Sequence, residues 1–169
     1  VGSRVTVRDS SLHDARDNGV DHGYAAFAGI GTGLNGELVI ERTGIVGFAR
    51  SGVFVIEGDA QLEGVVIEND RAAAPDWGAG VTLAGGGGYA TSARIAGSAI
   101  ADVELFGILA VDADVEITGV AVGDVAPQAD RFGMGISVQT NGMPGTSASG
   151  TLHGITVERC HTAGVFAAG

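Results

Sequence analysis

Apolar and polar residues alternate along this chain in short bursts that return in the same order. Ala93-Arg94-Ile95-Ala96-Gly97-Ser98-Ala99-Ile100-Ala101-Asp102 comes back as Val115-Glu116-Ile117-Thr118-Gly119-Val120-Ala121-Val122-Gly123-Asp124. A second apolar run, Gly107-Ile108-Leu109-Ala110-Val111, lies between them. With Gly97 as reference, equivalent positions fall at Asp9, Arg42, Gly64, Gly119 and Gly154. Two residues before each reference position stands an apolar residue: Val7, Ile40, Leu62, Ile95, Ile117 and Leu152. Three residues after it stands another: Leu12, Ile45, Ile67, Ile100, Val122 and Val157. Each copy then has a Gly-Val or Gly-Ile, beginning at Gly19, Gly52, Gly80, Gly107, Gly135 and Gly164.

The bursts are too short for helices, and in the first of each set apolar and polar residues alternate, so each copy predicts three short strands. Such strands are not stable alone. In a repeat, each pairs with its equivalent one copy along, which yields three parallel sheets wound as a solenoid of about six coils, an all-β parallel β-helix. Glycines at the corners allow the sharp bends. A β-sandwich would need hairpin turns between neighbouring strands, and the repeat does not supply them.

The copies alternate in length. Fifty-five residues separate Asp9 from Gly64, Arg42 from Gly97 and Gly64 from Gly119, so the true period is two coils. Coils three and five carry matched insertions, residues 69–79 and 124–134, which align Trp77 with Phe132 and Asn69 with Asp124. Coils one, three and five also carry longer glycine-rich returns, at residues 23–36, 84–92 and 139–150. Longer loops on alternate coils are therefore expected, and loops on a solenoid are where function concentrates.

Composition agrees with strands. Thirty Gly accompany only 3 Pro, and 45% of residues are apolar, enough to bury. The net charge is −11, from 20 Asp and Glu against nine Arg. So acidic a chain repels nucleic acid and anionic membrane. No apolar run approaches the ~20 residues of a membrane span, so no membrane insertion is expected. Cys160 is the single cysteine, which rules out an intrachain disulfide. Strand-like patterns run close to both ends, at Val5-Thr6-Val7 and Gly164-Val165-Phe166-Ala167. The expectation is a single β-helix domain that is a fragment of a longer protein.

Patterns such as V-x-I-x-G-V-x-V-x-D and F-G-I-x-A, repeated six times over nearly the whole chain, resemble the right-handed parallel β-helix proteins of the pectin-lyase-like superfamily. The likeness is to the large secreted or surface β-helix proteins of Gram-negative bacteria such as myxobacteria. The resemblance implies a right-handed coil, a secreted or cell-surface location and dealings with polysaccharide. Its motifs specify the coil rather than an activity. The family's lyases need a basic group and cations that neutralise uronate, and its hydrolases use close Asp residues with a His. Here the Arg residues scatter, no Asp-Asp pair occurs, and His13, His22, His153 and His161 are scattered without ligand spacing.

Three constellations remain. Five residues after each reference position stand Asp14, Gly47, Asn69, Asp102, Asp124 and Arg159. Asn69, Asp102 and Asp124 lie on consecutive coils about 4.8 Å apart. They read either as a ladder of hard oxygens for Ca²⁺ or as acceptors that cap turn amides. Two residues after the Gly of each Gly-Val stand Asp21, Phe54, Thr82, Leu109, Ser137 and Phe166, an outward row that marks a contact surface or a seat for the protein's own loops. Trp77 and Phe132, flanked by Asp76, Asp130, Arg71 and Arg131, read as an aromatic platform for a sugar ring or as packing that holds the loops down.

The functional expectation is a non-catalytic structural or adhesive segment whose partners are polysaccharide or a surface protein, with no cofactor except Ca²⁺ under the ladder reading. The alternatives are a polysaccharide lyase or hydrolase on the same coil and a Ca²⁺-dependent carbohydrate-binding module. Open strand edges at the ends of such a coil further predict end-to-end self-association.

Overall fold

A computed structural model describes residues 2–16, 23–29, 36–69, 78–86, 90–128 and 132–169. Each coil contributes three strands. In chain order they are β1 Arg4–Arg8, β2 Ser11–Ala15 and β3 Tyr24–Gly29; β4 Glu37–Glu41, β5 Gly44–Phe48 and β6 Ser51–Ile56; β7 Asp59–Glu63, β8 Val66–Glu68 and β9 Ala79–Ala84. The series continues with β10 Ser92–Ala96, β11 Ala99–Ala101 and β12 Phe106–Val111; β13 Asp114–Thr118, β14 Ala121–Val125 and β15 Met134–Gln139; β16 Ser149–His153, β17 Thr156–Cys160 and β18 Ala163–Ala168. Every third strand joins the same sheet. The result is three six-stranded sheets, β1-β4-β7-β10-β13-β16, β2-β5-β8-β11-β14-β17 and β3-β6-β9-β12-β15-β18, and every pairing is parallel. The chain is a parallel β-helix of six coils.

Register explains the apolar periodicity. In the first sheet Val7, Ile40, Leu62, Ile95, Ile117 and Leu152 are successive partners. In the second, Leu12, Ile45, Ile67, Ile100, Val122 and Val157 are. Both columns point inward and meet Val53, Val81, Ile108 and Ile136 of the third sheet in one continuous core. Members from the inner coils are fully buried, whereas Val7, Leu12, Leu152 and Val157 on the end coils are only partly so. Each coil thus gains its burial from the coils on either side.

The reference position is a backbone corner. Asp9, Arg42, Gly64, Gly97, Gly119 and Gly154 all have φ between 47 and 62°, the left-handed region that turns the chain from the first sheet to the second. The residue after it faces inward. Where that residue is hydroxylated, the hydroxyl donates to the carbonyl two residues back, as Thr43 does to Glu41 and Ser98 to Ala96, both at 2.8 Å. Ser98 Oγ also accepts the Val65 amide of the coil before. A buried corner amide is satisfied without water.

The first coil corrects one expectation. Its third strand is Tyr24–Gly29, not a segment beginning at Gly19-Val20, and residues 17–22 lie outside the described set. The pattern misled because Ala25, rather than a glycine, takes the small-residue position between Tyr24 and Ala26, which pair with Ser51 and Val53 across Gly52. Coil one therefore carries the same kind of insertion after its second strand as coils three and five. Long connections follow β2, β8 and β14, and short ones follow β5 and β17. The returns to the first sheet alternate likewise, long after β3, β9 and β15 and short after β6 and β12.

Candidate functional site

Polar side chains on the outer faces interact mainly along the stack. Arg8 meets Glu41 at 2.9 Å and Arg4 meets Glu37 at 3.4 Å, each bridging coils one and two. Ser92 and Ser149 donate at 2.6 Å to Asp59 and Asp114 of the preceding coils. Arg94 lies 4.0 Å from Glu116 of the next coil. Two bidentate pairs occupy left-handed corners. Arg42 donates to both carboxylate oxygens of Asp9 at 2.7 and 2.8 Å, and Arg159 does the same to Asp124. Hydrogen bonds from Arg42 hold the Asp9 carboxyl below its ordinary value. Exposed pairs of this kind are individually weak, but each adds register between coils.

The expected oxygen ladder is one corner with several uses. Asp14, Gly47, Asp102, Asp124 and Arg159 all have left-handed φ there, between 51 and 67°. Asp124 is engaged by Arg159. Asn69 is buried, and its Oδ1 accepts the Phe48 amide at 3.1 Å, capping the corner of the coil before. Among the described residues no group of three His, Cys, Asp or Glu gathers to hold a metal.

Of the predicted aromatic platform, Phe132 is half exposed and its ring centroid lies 6.3 Å from that of Phe106. Trp77, Asp76, Asp130, Arg131 and Arg71 lie outside the described residues. The outward row of the third sheet runs Phe27, Phe54, Thr82, Leu109, Ser137 and Phe166, with Phe27 in the place expected of Asp21. Thr82, Leu109 and Ser137 are buried, and Leu109 joins Leu105, Phe106, Ala79 and Met134 in a second apolar cluster. At the other end of the row Phe27 is 56% exposed, and its ring lies nearly parallel to those of Tyr24 and Phe54.

Two concavities meet on one side of the coil. A trough of about 600 Å³ runs over the first sheet across coils two to six, with Glu37, Asp59, Arg94, Asp114 and Glu116 in its lining. A pocket of about 420 Å³ lies at the corner where the third sheet returns to the first. Asp114 lines both. Comparison with protein-family models, curated proteins and solved structures gives no match. The site must therefore be argued from its own geometry.

Sequence reasoning missed the corner pocket. Asp112 lines it, on the short return of coil four, between the long returns of coils three and five that supply Gly86 and Met143 to the lining. One signal was present: Asp112-Ala113-Asp114 repeats Glu57-Gly58-Asp59 one 55-residue period later. Glu57 and Asp112 both have left-handed φ, 52 and 50°, so the acid recurs at the same short corner.

Proposed function

We propose that this chain is a non-catalytic structural or adhesive segment of a secreted or cell-surface protein, a right-handed β-helix of the pectin-lyase-like kind. The observation that carries the reading is the set of polar pairs running parallel to the coil axis, Arg8–Glu41, Arg42–Asp9, Ser92–Asp59, Ser149–Asp114 and Arg159–Asp124. Side chains engaged in this way hold coils in register. Long loops on alternate coils then form the presenting surface, for a polysaccharide or a surface protein. The net charge of −11 argues against nucleic acid as partner. No described helix is long and apolar enough to cross a membrane. End-to-end self-association belongs to the same reading, because among the described residues the strands of the end coils each have one edge without a pairing strand.

A second reading, a polysaccharide lyase or hydrolase, has one observation in its favour: Asp59, Asp114 and Glu116 line the same trough as Arg94, which lies 4.0 Å from Glu116. One experiment separates the two. The chain is incubated with a panel of neutral and acidic polysaccharides, with and without Ca²⁺, and both binding and reducing or unsaturated products are measured. Binding without products is the expected result. Products that disappear in Asp59→Asn or Asp114→Asn would replace the structural reading with the enzymatic one.

A further inference from the structure

The corner pocket contains a carboxylate that the fold itself does not satisfy. Asp112 is 8% exposed. Its Oδ1 accepts the Asn141 amide at 2.9 Å, while its Oδ2 is buried and meets no hydrogen-bond donor among the described residues. A buried, half-matched carboxylate is costly unless a positive charge accompanies it. Asp114 lines the same pocket, and among the described residues no Arg or His does. Asp114 Oδ1 takes a hydrogen bond from Ser149, which leaves its second oxygen for another partner.

The surroundings hold this carboxylate in place. A Cβ built on Gly85 would lie 1.9 Å from the Asp112 carbonyl oxygen, so the return of coil three packs its bare backbone directly against the Asp112 corner. From the other side Asn141 folds the return of coil five onto the pocket. Its Oδ1 accepts the Met143 amide at 2.8 Å and the Thr146 hydroxyl at 3.3 Å. The side chains with polar atoms in the lining are Asp112, Asp114, Thr91, Thr146 and Ser147, all of them oxygen-bearing. A donor set of hard oxygens on irregular, glycine-rich backbone, without imidazole or thiolate, suits Ca²⁺ rather than Zn²⁺ or copper.

We propose that the pocket between the returns of coils three and five is a Ca²⁺ site, with Asp112 as its central ligand and Asp114 as the second carboxylate. It is distinct from the Asn69, Asp102 and Asp124 corner and does not depend on the structural reading above. With two carboxylates the affinity belongs in the range of extracellular modules, a Kd of about 10⁻⁴–10⁻³ M.

The test is a calorimetric titration of the 169-residue chain with Ca²⁺ alone, in 0.5 M NaCl to screen diffuse binding to the acidic surface, and with Mg²⁺ in parallel. One saturable Ca²⁺ per chain is expected, weakened at least about tenfold in Asp112→Asn, several-fold in Asp114→Asn, and unchanged in Asp102→Asn. Ca²⁺ should also raise the Tm of the wild type and not that of Asp112→Asn, whose fold is checked by circular dichroism in EDTA. If Asp112→Asn does not fold, Asp114→Asn decides. No saturable binding at this salt, equal response to Mg²⁺, or affinity indifferent to both pocket substitutions would overturn the assignment.

Discussion

Two columns of glycine run along the coil stack, one at the corner from the first sheet to the second and one at the entrance to the third, and they answer different physical demands. The first column demands a conformation. Its φ values are left-handed at all six positions, yet a Cβ on Gly97 would meet nothing within 4 Å. Side chains are therefore admitted at a conformational cost, and Asp9 and Arg42 stand there as a bidentate pair. The second column demands space. A Cβ on Gly80 would lie 2.5 Å from Ile100 Cγ2, one on Gly107 2.4 Å from Val122 Cγ1, and one on Gly135 2.3 Å from Val157 Cγ1. Each of these glycines faces the inward residue of the second sheet one coil further on. The conformational column admits residues as large as Arg42, whereas the crowded column admits nothing larger than Ala25.

Of the substitutions that test this contrast, Gly107→Ala should do the most damage. Besides Val122, its Cβ would lie 2.6 Å from the Gly135 carbonyl oxygen, a contact that no side-chain rotation relieves. Coils four and five must separate, so a loss of about 3 kcal/mol or more is expected in urea unfolding. Because coils contact only their neighbours, hydrogen exchange should rise most in β12 and β15. A loss below about 1 kcal/mol would break the distinction between the columns.

Gly97→Ala should cost less, roughly 1–2 kcal/mol, since only the left-handed backbone opposes it. Gly97→Asn should recover part of that, because Asn tolerates this region better than Ala. If Gly97→Ala proved as costly as Gly107→Ala, crowding rather than conformation would govern both columns.

The same contrast explains what could be read from the sequence. The coil was legible because inward positions must be apolar on every turn, and spacing recovered the first corner even at Asp9 and Arg42, where glycine is missing. The entrance to the third sheet was legible where Gly52, Gly80, Gly107, Gly135 and Gly164 mark it. It failed in coil one, where Ala25 is small enough and Gly19-Val20 mimics the motif. The corner pocket was illegible for another reason. Asp112 reads locally as a polar turn residue, and only the folding of two returns, on the coils before and after it, turns that residue into a buried carboxylate.

Asp9→Asn separates the side chain's charge from its backbone conformation. Asn keeps the tolerance for left-handed φ but gives up the ion pair with Arg42. Because the hydrogen bond from Arg42 lowers the Asp9 carboxyl from its ordinary 3.8, the pair's contribution is present above that pH and is lost as pH falls through the folded-state value. The wild type should therefore exceed Asp9→Asn slightly at neutral pH, with the difference vanishing in acid and shrinking in salt. A difference that persists at about pH 2 would assign the effect to the backbone instead.

The smallest effect on stability should come from Gly164→Ala, and that makes it informative. Its Cβ would have Val157 Cγ1 as nearest neighbour at 3.6 Å, an ordinary contact, so unfolding should change by no more than about 0.5 kcal/mol. Gly164 nevertheless continues the crowded column. Gly52 faces Ile67, Gly80 faces Ile100, Gly107 faces Val122 and Gly135 faces Val157. Leu12 is the first member of the column those residues belong to. In a second copy stacked in register on coil six, Leu12 would take the position facing Gly164. Sedimentation equilibrium should then show concentration-dependent association of the wild type and weaker association of Gly164→Ala, with monomer stability unchanged. A wild type that remains a monomer at high concentration removes end-to-end association. Equal association of the two proteins removes the in-register stacking, because at Gly52, Gly80, Gly107 and Gly135, where a further coil follows, an added Cβ would lie within 2.8 Å of it.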